Sequence, residues 1–299
     1  MVKTLVFGAA GQVGREVFRA AWPRSFELLP LDKNDGDIAD PAAVAAVITK
    51  HRPNLVINLA AYTAVDRAES EPERAWAVNC DGAANIAAAC REAAAPLIHL
   101  STDYVFDGCK SGPYREEDAV NPINAYGRSK EAGERAVQAA MDRYVILRTS
   151  WIFGAYGTNF VKTVLRLGAE RPVLQIVGDQ RGRPTAAADI ASALIMIARR
   201  IERGRTDWGI FHFAGSGSTT WYGFAEEIVH LAETLGAWRG TRRPQVEQIT
   251  TAQYKTLARR PMNSELDCRK IGCTLDISPP PWRSSLAAVL RELVREASG

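Results

Sequence analysis

Short apolar runs alternate with amphipathic or alanine-rich stretches through the first half of the chain. Lys3-Thr4-Leu5-Val6-Phe7 is an apolar run ending at a glycine, which predicts a buried strand. Residues 12–21 follow with helical spacing, and 26–31 read as a second strand. Asp40-Pro41 opens the next helix, with Asp as N-cap and Pro at the first helical position; it runs to about His51. Strands are predicted over 55–59, 97–100 and 144–147, and helices over 71–94 and 124–140. Repeated strand–helix units with short connections make a parallel sheet covered by helices on both faces. Ligands of such sheets bind beyond the carboxyl ends of the strands.

The pattern loosens after residue 150. Helices are expected over 186–202 and 221–235 and a strand over 209–214. Leu286, Val289, Leu290, Leu293 and Val294 mark one face of a final helix. Loops rich in Pro and Arg fill 179–185, 241–244 and 259–264. Residues 1–150 therefore read as a dinucleotide-binding domain to which 186–214 returns. Residues 151–185 and 215–299 read mainly as a smaller, partly interleaved substrate-binding lobe.

Composition narrows the class. A chain of 299 residues with 46% hydrophobic and 24% charged residues is an ordinary globular protein, not a disordered one. The charge balance, 37 − 34 = +3, is too small to argue for nucleic acid and suits an anionic small substrate. No stretch approaches the ~18 apolar residues of a membrane span, and the glycines and charges of 8–16 break any signal-peptide core. Five cysteines (80, 90, 109, 268 and 273) without CxxC spacing read as reduced thiols of a cytoplasmic protein. Histidines 51, 99, 212 and 230 lack metal-ligand spacing and read as core or surface residues.

The candidate chemistry begins at Gly8-Ala9-Ala10-Gly11-Gln12-Val13-Gly14, placed between a strand and a helix. Gly8 permits the tight turn, Gly11 lets backbone approach a pyrophosphate, and Gly14 allows close helix–strand packing. The helix N-terminus offers N–H groups to phosphates. This is the signature of a Rossmann-type doubly wound sheet, although its spacing differs from G-x-G-x-x-G. Asp32 ends the second strand, where an acid can bond a ribose 2′-hydroxyl and favour NAD; the adjacent Lys33 could offset its charge. Asp37 and Ile38 could bracket an adenine, and Ala60, Ala61 and Tyr62 end the third strand with room for a dinucleotide.

The fourth strand ends in Ser101-Thr102-Asp103-Tyr104, and the following helix carries Tyr126 and Lys130 on one face. Reduction of a carbonyl needs a proton donor for the oxygen, and a phenol can serve. Its ordinary pKa of ~10 is a poor match to neutral pH, so a nearby Lys130 ammonium is expected to lower it. Lys130 could also hold the nicotinamide ribose of the cofactor, and Thr102 would hydrogen-bond the developing oxyanion.

These residues resemble the extended short-chain dehydrogenases/reductases. Five segments are similar to one branch, the dTDP-4-dehydrorhamnose reductases: Ala60 to Asp66, Ser101 to Gly108, Arg148 to Trp151, Asp179 to Thr185, and Arg259 to Ser264. The resemblance covers nearly the whole chain. It implies NADPH- or NADH-dependent reduction of the C4 ketone of a nucleotide sugar, dTDP-4-dehydro-L-rhamnose. Tyr126 would be the proton donor, Lys130 its partner and Thr102 the carbonyl contact. Gly11, Gln12, Val13, Asp37, Ile38, Ala60, Ala61 and Tyr62 would line the cofactor. Thr102, Asp103 and Trp151 would touch the sugar nucleotide. Trp221 reads as core packing that positions its helix. Arg183, Arg259 and Arg260 could pair with a diphosphate or be solvated charge. Some similar reductases hold Mg2+ between subunits through glutamates; here Ala188 replaces one such residue and Glu292 matches another, which speaks against that site.

Other readings share the scaffold. A sugar-nucleotide dehydratase would need a carboxylate where Tyr104 stands, which disfavours elimination. An epimerase, or a non-catalytic NADP-binding regulatory subunit, would keep much of the same architecture. The sequence leaves the oligomeric state open, a homodimer included.

Overall fold

The computed structural model describes residues 1–205, 207–238 and 243–298. Five strands are named here in chain order: β1 (Val2–Phe7), β2 (Phe26–Leu31), β3 (Leu55–Asn58), β4 (Leu97–Thr102) and β5 (Tyr144–Thr149). With Gly209–His212 they form a six-stranded sheet in the order Gly209–His212, β5, β4, β3, β1, β2, and every pairing is parallel. Alternate side chains of one strand enter opposite cores, because successive residues of a strand point to opposite faces. Leu5 and Phe7 join Ile38, Val44, Ile86 and Cys90, whereas Val6 joins Val13, Val17, Leu194 and Phe211. Burying each large apolar side chain contributes roughly 1.5–3 kcal/mol, so a two-sided sheet is strongly specified.

Local signals fix the helix starts. Helices α1 (Gln12–Arg19) and α2 (Pro41–His51) follow β1 and β2. Asp40 caps α2 by accepting from the amides of Ala42 and Ala43, with Pro41 in the first turn. Asn124 caps the helix Ala125–Ala140 through the Gly127 N–H.

One expected helix is remodelled, and one unexpected helix precedes it. The helix expected over 71–94 begins at Pro72 and contains a π-helical turn, Ala77–Asp81, before continuing as Gly82–Glu92. The wider turn carries Asn79, whose Oδ1 accepts from the Tyr62 N–H (2.8 Å) and whose Nδ2 donates to the Tyr62 carbonyl and Ser129 Oγ. Such bulges recur at functional sites, and this one braces the end of β3. A separate helix, Val65–Ser70, precedes it where no element was expected.

The second half builds a third core. Helices Phe160–Glu170, Trp221–Thr234 and Trp282–Ser298 bring together Phe153, Val161, Phe224, Ile228, Trp282 and Leu286. Strands Val173–Val177 and Gln245–Ile249 pair in parallel beside them. The sequence pattern left Phe160–Glu170 and both of these strands unassigned. The short helix Arg269–Leu275 places Ile271 and Leu275 against the large sheet. Within the loop expected over 241–244, Thr241 and Arg242 lie outside the described residues. Among the described residues no helix is long and apolar enough to cross a membrane.

Candidate active site

The glycine loop closes tightly over the end of β3. Gly8 has φ +77°, and a Cβ there would lie 2.6 Å from the Ala60 nitrogen. A Cβ on Gly14 would lie 2.4 Å from the Gly8 carbonyl oxygen, so backbone packs directly on backbone at both positions. Gly11 is the N-cap of α1 and supplies no side-chain cap, which leaves first-turn N–H groups for a ligand. Gln12 Oε1 is buried without a hydrogen-bond partner. Beside the loop lies a pocket of 340 Å3, lined among others by Gly8, Gly11, Asp32, Asp37, Ile38, Ala60, Ala61 and Tyr62. Most of the sequence-predicted cofactor residues therefore converge. Gln12, Val13, Gly14 and Lys130 do not line it; Val13 is core, Gly14 is packing and Lys130 is buried against β4. The open loop amides, the orphaned Gln12 oxygen and this pocket fit the phosphates and adenosine of a nicotinamide dinucleotide.

Asp32 has a local duty as well. Its Oδ1 accepts from the amides of Asn34 and Asp35, holding its own turn. Lys33 pairs with Asp37 at 3.3 Å on an exposed surface. An adjoining groove of 530 Å3 is lined by Ala9, Ala10, Arg15, Asp32 and Tyr156. Arg15 lies over the Tyr156 ring, 5.5 Å from its centroid. Sequence reasoning passed over Arg15; the available signal was a basic residue directly after Gly14.

Thr102, Tyr126 and Lys130 are all buried, and Thr102 and Tyr126 meet, whereas the Lys130 amine turns away from them. The Thr102 hydroxyl accepts from the Tyr104 N–H, donates to Asp103 Oδ1 (3.1 Å) and hydrogen-bonds Tyr126. The Tyr126 ring packs edge-on to Tyr104 in a cluster that includes Tyr62 and Val65. Lys130 Nζ turns toward β4, donating to the Leu100 carbonyl at 2.8 Å and lying 3.3 Å from His99 Nε2. The expected lowering of the Tyr126 pKa is therefore corrected. Burial pushes the phenol well up, and the Thr102 hydrogen bond opposes it only in part. Lys130 is pushed down to about 8, again by burial, with Glu134 acting the other way.

Asp103 is buried and lines none of the three cavities described here. Burial pushes its carboxyl up to about 7, against hydrogen bonds from Ser264 and Thr102. The turn after β4 carries its side chain inward, where it accepts from Thr102.

Tyr104 also lines a larger cavity of 870 Å3. Phe160, Trp221, Gln175, Tyr254, Arg171 and Arg260 are among its lining residues. Trp151 is not: it is half-buried, stacked on Trp221, with Gly182 packed against the indole. Of the two tryptophans, it is Trp221 that lines this cavity. Trp221 faces the cavity and Trp151 backs it. Arg260 reaches the cavity but is bound to Asp66 at 2.5 Å. Arg183 approaches Glu265 and Arg259 is exposed, and neither lines the cavity.

The residues named for a divalent metal do not fit one. Arg19 places its guanidinium on Glu292, and Ala188 has no donor atom. Among the described residues no group of three or more His, Cys, Asp or Glu could hold a metal ion.

Known proteins are similar to this chain along nearly its whole length. The family model described as the RmlD substrate binding domain matches residues 2–295. The chain is 44% identical to a dTDP-4-dehydrorhamnose reductase of Aggregatibacter actinomycetemcomitans, covering 96% of this chain and 97% of that one. A crystal structure of a dTDP-4-dehydrorhamnose reductase from Clostridium acetobutylicum superposes with a TM-score of 0.90 at 36% identity, over 97% of this chain and 99% of that one. A Bacillus anthracis dTDP-4-dehydrorhamnose reductase, solved in complex with NADP, superposes with a TM-score of 0.89 at 35% identity, over the same shares. Fold, glycine loop and near full-length similarity converge: this chain belongs to the dTDP-4-dehydrorhamnose reductase family, within the NAD(P)-dependent short-chain dehydrogenase/reductase fold.

Proposed function

We propose that the chain reduces the C4 ketone of dTDP-4-dehydro-L-rhamnose to the alcohol, giving dTDP-L-rhamnose. One observation carries the reading. Tyr126, hydrogen-bonded to Thr102, sits in the aromatic cluster that joins the dinucleotide pocket at Tyr62 to the large cavity at Tyr104.

A nicotinamide dinucleotide bound along the glycine loop supplies the hydride. The amides at the start of α1, with Ala60, Ala61 and Tyr62, hold it; Asp37 and Ile38 flank its adenosine end. Arg15 offers a guanidinium to a 2′-phosphate, while Asp32 suits a 2′-hydroxyl, which supports use of both NADPH and NADH. Thr102 and Tyr126 meet the ketone oxygen. Tyr126, held neutral by burial, keeps the proton that the oxygen requires as charge develops there. Tyr126 gives up that proton, and Lys130, one helical turn away, is the amine nearest in sequence to restore it. Trp221, Phe160 and Tyr104 offer flat apolar faces to base and sugar, and Arg171 a charge to the diphosphate.

In this reading residues 1–150 with 186–214 form the dinucleotide-binding domain, and 151–185 with 215–299 mainly the substrate lobe. A cytoplasmic location fits the free thiols. A homodimer belongs to the same reading, and light scattering on the purified protein tests it.

The deciding experiment mixes purified protein with the ketosugar and NADH or NADPH. Stoichiometric loss of reduced-nicotinamide absorbance is expected. An epimerase would convert sugar without consuming cofactor, and a regulatory subunit would do neither.

A further inference from the structure

Tyr156 joins the 530 Å3 groove from a distant part of the chain. The groove is otherwise built from the glycine loop, α1, the end of β2 and the turn after it, with Ala9, Arg15, Phe18, Pro30 and Asp32 among its walls. Tyr156 belongs to the loop after Ile152–Phe153, and local bonds fix that loop. The buried Asn159 caps the helix Phe160–Glu170 through the Lys162 N–H. Its Nδ2 donates back to the carbonyls of Gly154 (2.8 Å) and Tyr156 (3.3 Å). Lys162 Nζ donates to the Ala155 carbonyl at 3.1 Å, so three successive carbonyls are held. Gly157 then turns with φ +67°, and a Cβ there would lie 3.3 Å from the Gln12 Cβ. The loop thus lies close on the first turn of α1.

The Tyr156 ring stands where this loop puts it, against two arginines one turn apart on α1. Arg15 lies over the ring, 5.5 Å from its centroid. Arg19 hydrogen-bonds the phenol oxygen and places its guanidinium on Glu292. The two cations differ in what they have left to offer. Arg19 has its carboxylate, and Lys33, next to Asp32 in the chain, is paired with Asp37. Among the described residues Arg15 has no carboxylate partner, and it is exposed at the groove. A long exposed side chain loses rotamer freedom when it binds an anion. A ring against the guanidinium takes part of that loss before the ligand arrives and leaves edge N–H groups free for oxygens.

We propose that Tyr156 is a positioning residue for cofactor choice: it holds the Arg15 guanidinium at the groove beside Asp32, so that preference for a ribose 2′-phosphate over a 2′-hydroxyl is set in part from outside the glycine loop. The inference rests on the reading of Arg15 as the 2′-phosphate ligand. Two acids face the same groove. Asp32 Oδ1 accepts from the amides of Asn34 and Asp35, and Asp35 Oδ2 accepts from the Asp32 amide at 3.0 Å. Both are engaged in their own turn, yet both still repel a phosphate. Binding of NADPH therefore depends on how firmly Arg15 is held against them. A 2′-hydroxyl needs no such cation, so NADH is indifferent to Tyr156.

The test is calorimetric titration of the purified protein with NADPH and with NADH, read as the ratio of the two affinities. Tyr156→Leu removes the ring and should lower the NADPH preference by about 2–5-fold, the worth of an exposed cation–π contact. Tyr156→Phe keeps the ring and should keep the ratio. In an Arg15→Ala background, Tyr156→Leu should not move the ratio further. Equal weakening of both dinucleotides by Tyr156→Leu would overturn the proposal, because a merely structural loop residue acts on both alike. So would a ratio that Tyr156→Phe loses as fully as Tyr156→Leu, or one that Tyr156→Leu still lowers without Arg15. Tyr156→Gln, long but without a ring, replaces Tyr156→Leu if that variant does not fold. If Arg15→Ala itself leaves the ratio unchanged, the reading of Arg15 fails and this proposal with it. If Arg15→Ala lowers the ratio and Tyr156→Leu does not, this proposal alone fails. Turnover enters none of these readouts, so a failed ketone-reduction assay leaves them intact.

Discussion

Trp151 and Trp221 stack face to face, their ring centroids 3.7 Å apart and their planes 11° apart. Trp151 does so with φ +48°, a left-handed conformation that a bulky residue adopts only when its surroundings hold it there. The pair divides structure from binding. Trp221→Ala removes an aromatic face from the cavity and should raise KM for the sugar nucleotide by about 2–10-fold, the equivalent of an aromatic contact of ~0.5–1.5 kcal/mol. Trp151→Ala should instead destabilise the fold, toward the lower end of the ~3–5 kcal/mol of a truncated core Trp. Thermal melts and steady-state kinetics on both variants check this; a Trp151 variant with normal stability and a raised KM would reverse the assignment.

Tyr126→Phe keeps the ring packed against Tyr104 and removes one oxygen. Folding and dinucleotide binding should survive. General acid catalysis commonly contributes ~10²–10⁴-fold, and kcat should fall by that factor. Retention of most of kcat, with hydride transfer shown to limit the rate by isotopic substitution, would exclude Tyr126 as proton donor.

Asp103 makes stability depend on pH. Its folded pKa, about 7, stands above the ordinary 3.8, so between these values the folded state holds a proton that the unfolded state has lost. Stability therefore falls as pH rises through this window, by at most ~4 kcal/mol. Asp103→Asn lacks this titration. Its melting temperature should gain on that of the wild type as pH climbs from about 4 to about 7 and hold the gain above. Parallel melting curves across the range would mean that Asp103 titrates normally.

Arg15 should discriminate between cofactors. A guanidinium on a 2′-phosphate makes charge-assisted hydrogen bonds of ~1.5–3 kcal/mol. Arg15→Ala should weaken NADPH by about 10–100-fold and leave NADH nearly unchanged. Fluorescence titration with each dinucleotide measures it, and equal losses for both would place Arg15 outside the 2′-phosphate site.

Much of the scaffold was written locally in the sequence. Asp40 with Pro41, Asn124 before its helix, and the glycines between β1 and α1 act through groups only a few residues away. Tyr126 and Lys130 share a helix face by spacing alone. These signals gave the parallel sheet, the dinucleotide loop and the Thr102–Tyr126 pair. What the sequence could not decide depends on contacts between distant segments. Trp221 reaches the cavity because Trp151, seventy positions earlier, stacks behind it. Asp66 binds Arg260 across 194 positions. His99 looked like an ordinary core histidine, and only the fold sets Asn58 on one of its nitrogens and Lys130 on the other. The same holds for the pKa values. The Tyr–Lys spacing suggested that charge would govern both groups, but burial governs them, and burial is a property of the packed molecule. Periodicity records that a side chain turns inward; which neighbour it meets there, and how much water is left around the pair, is settled only when the layers close.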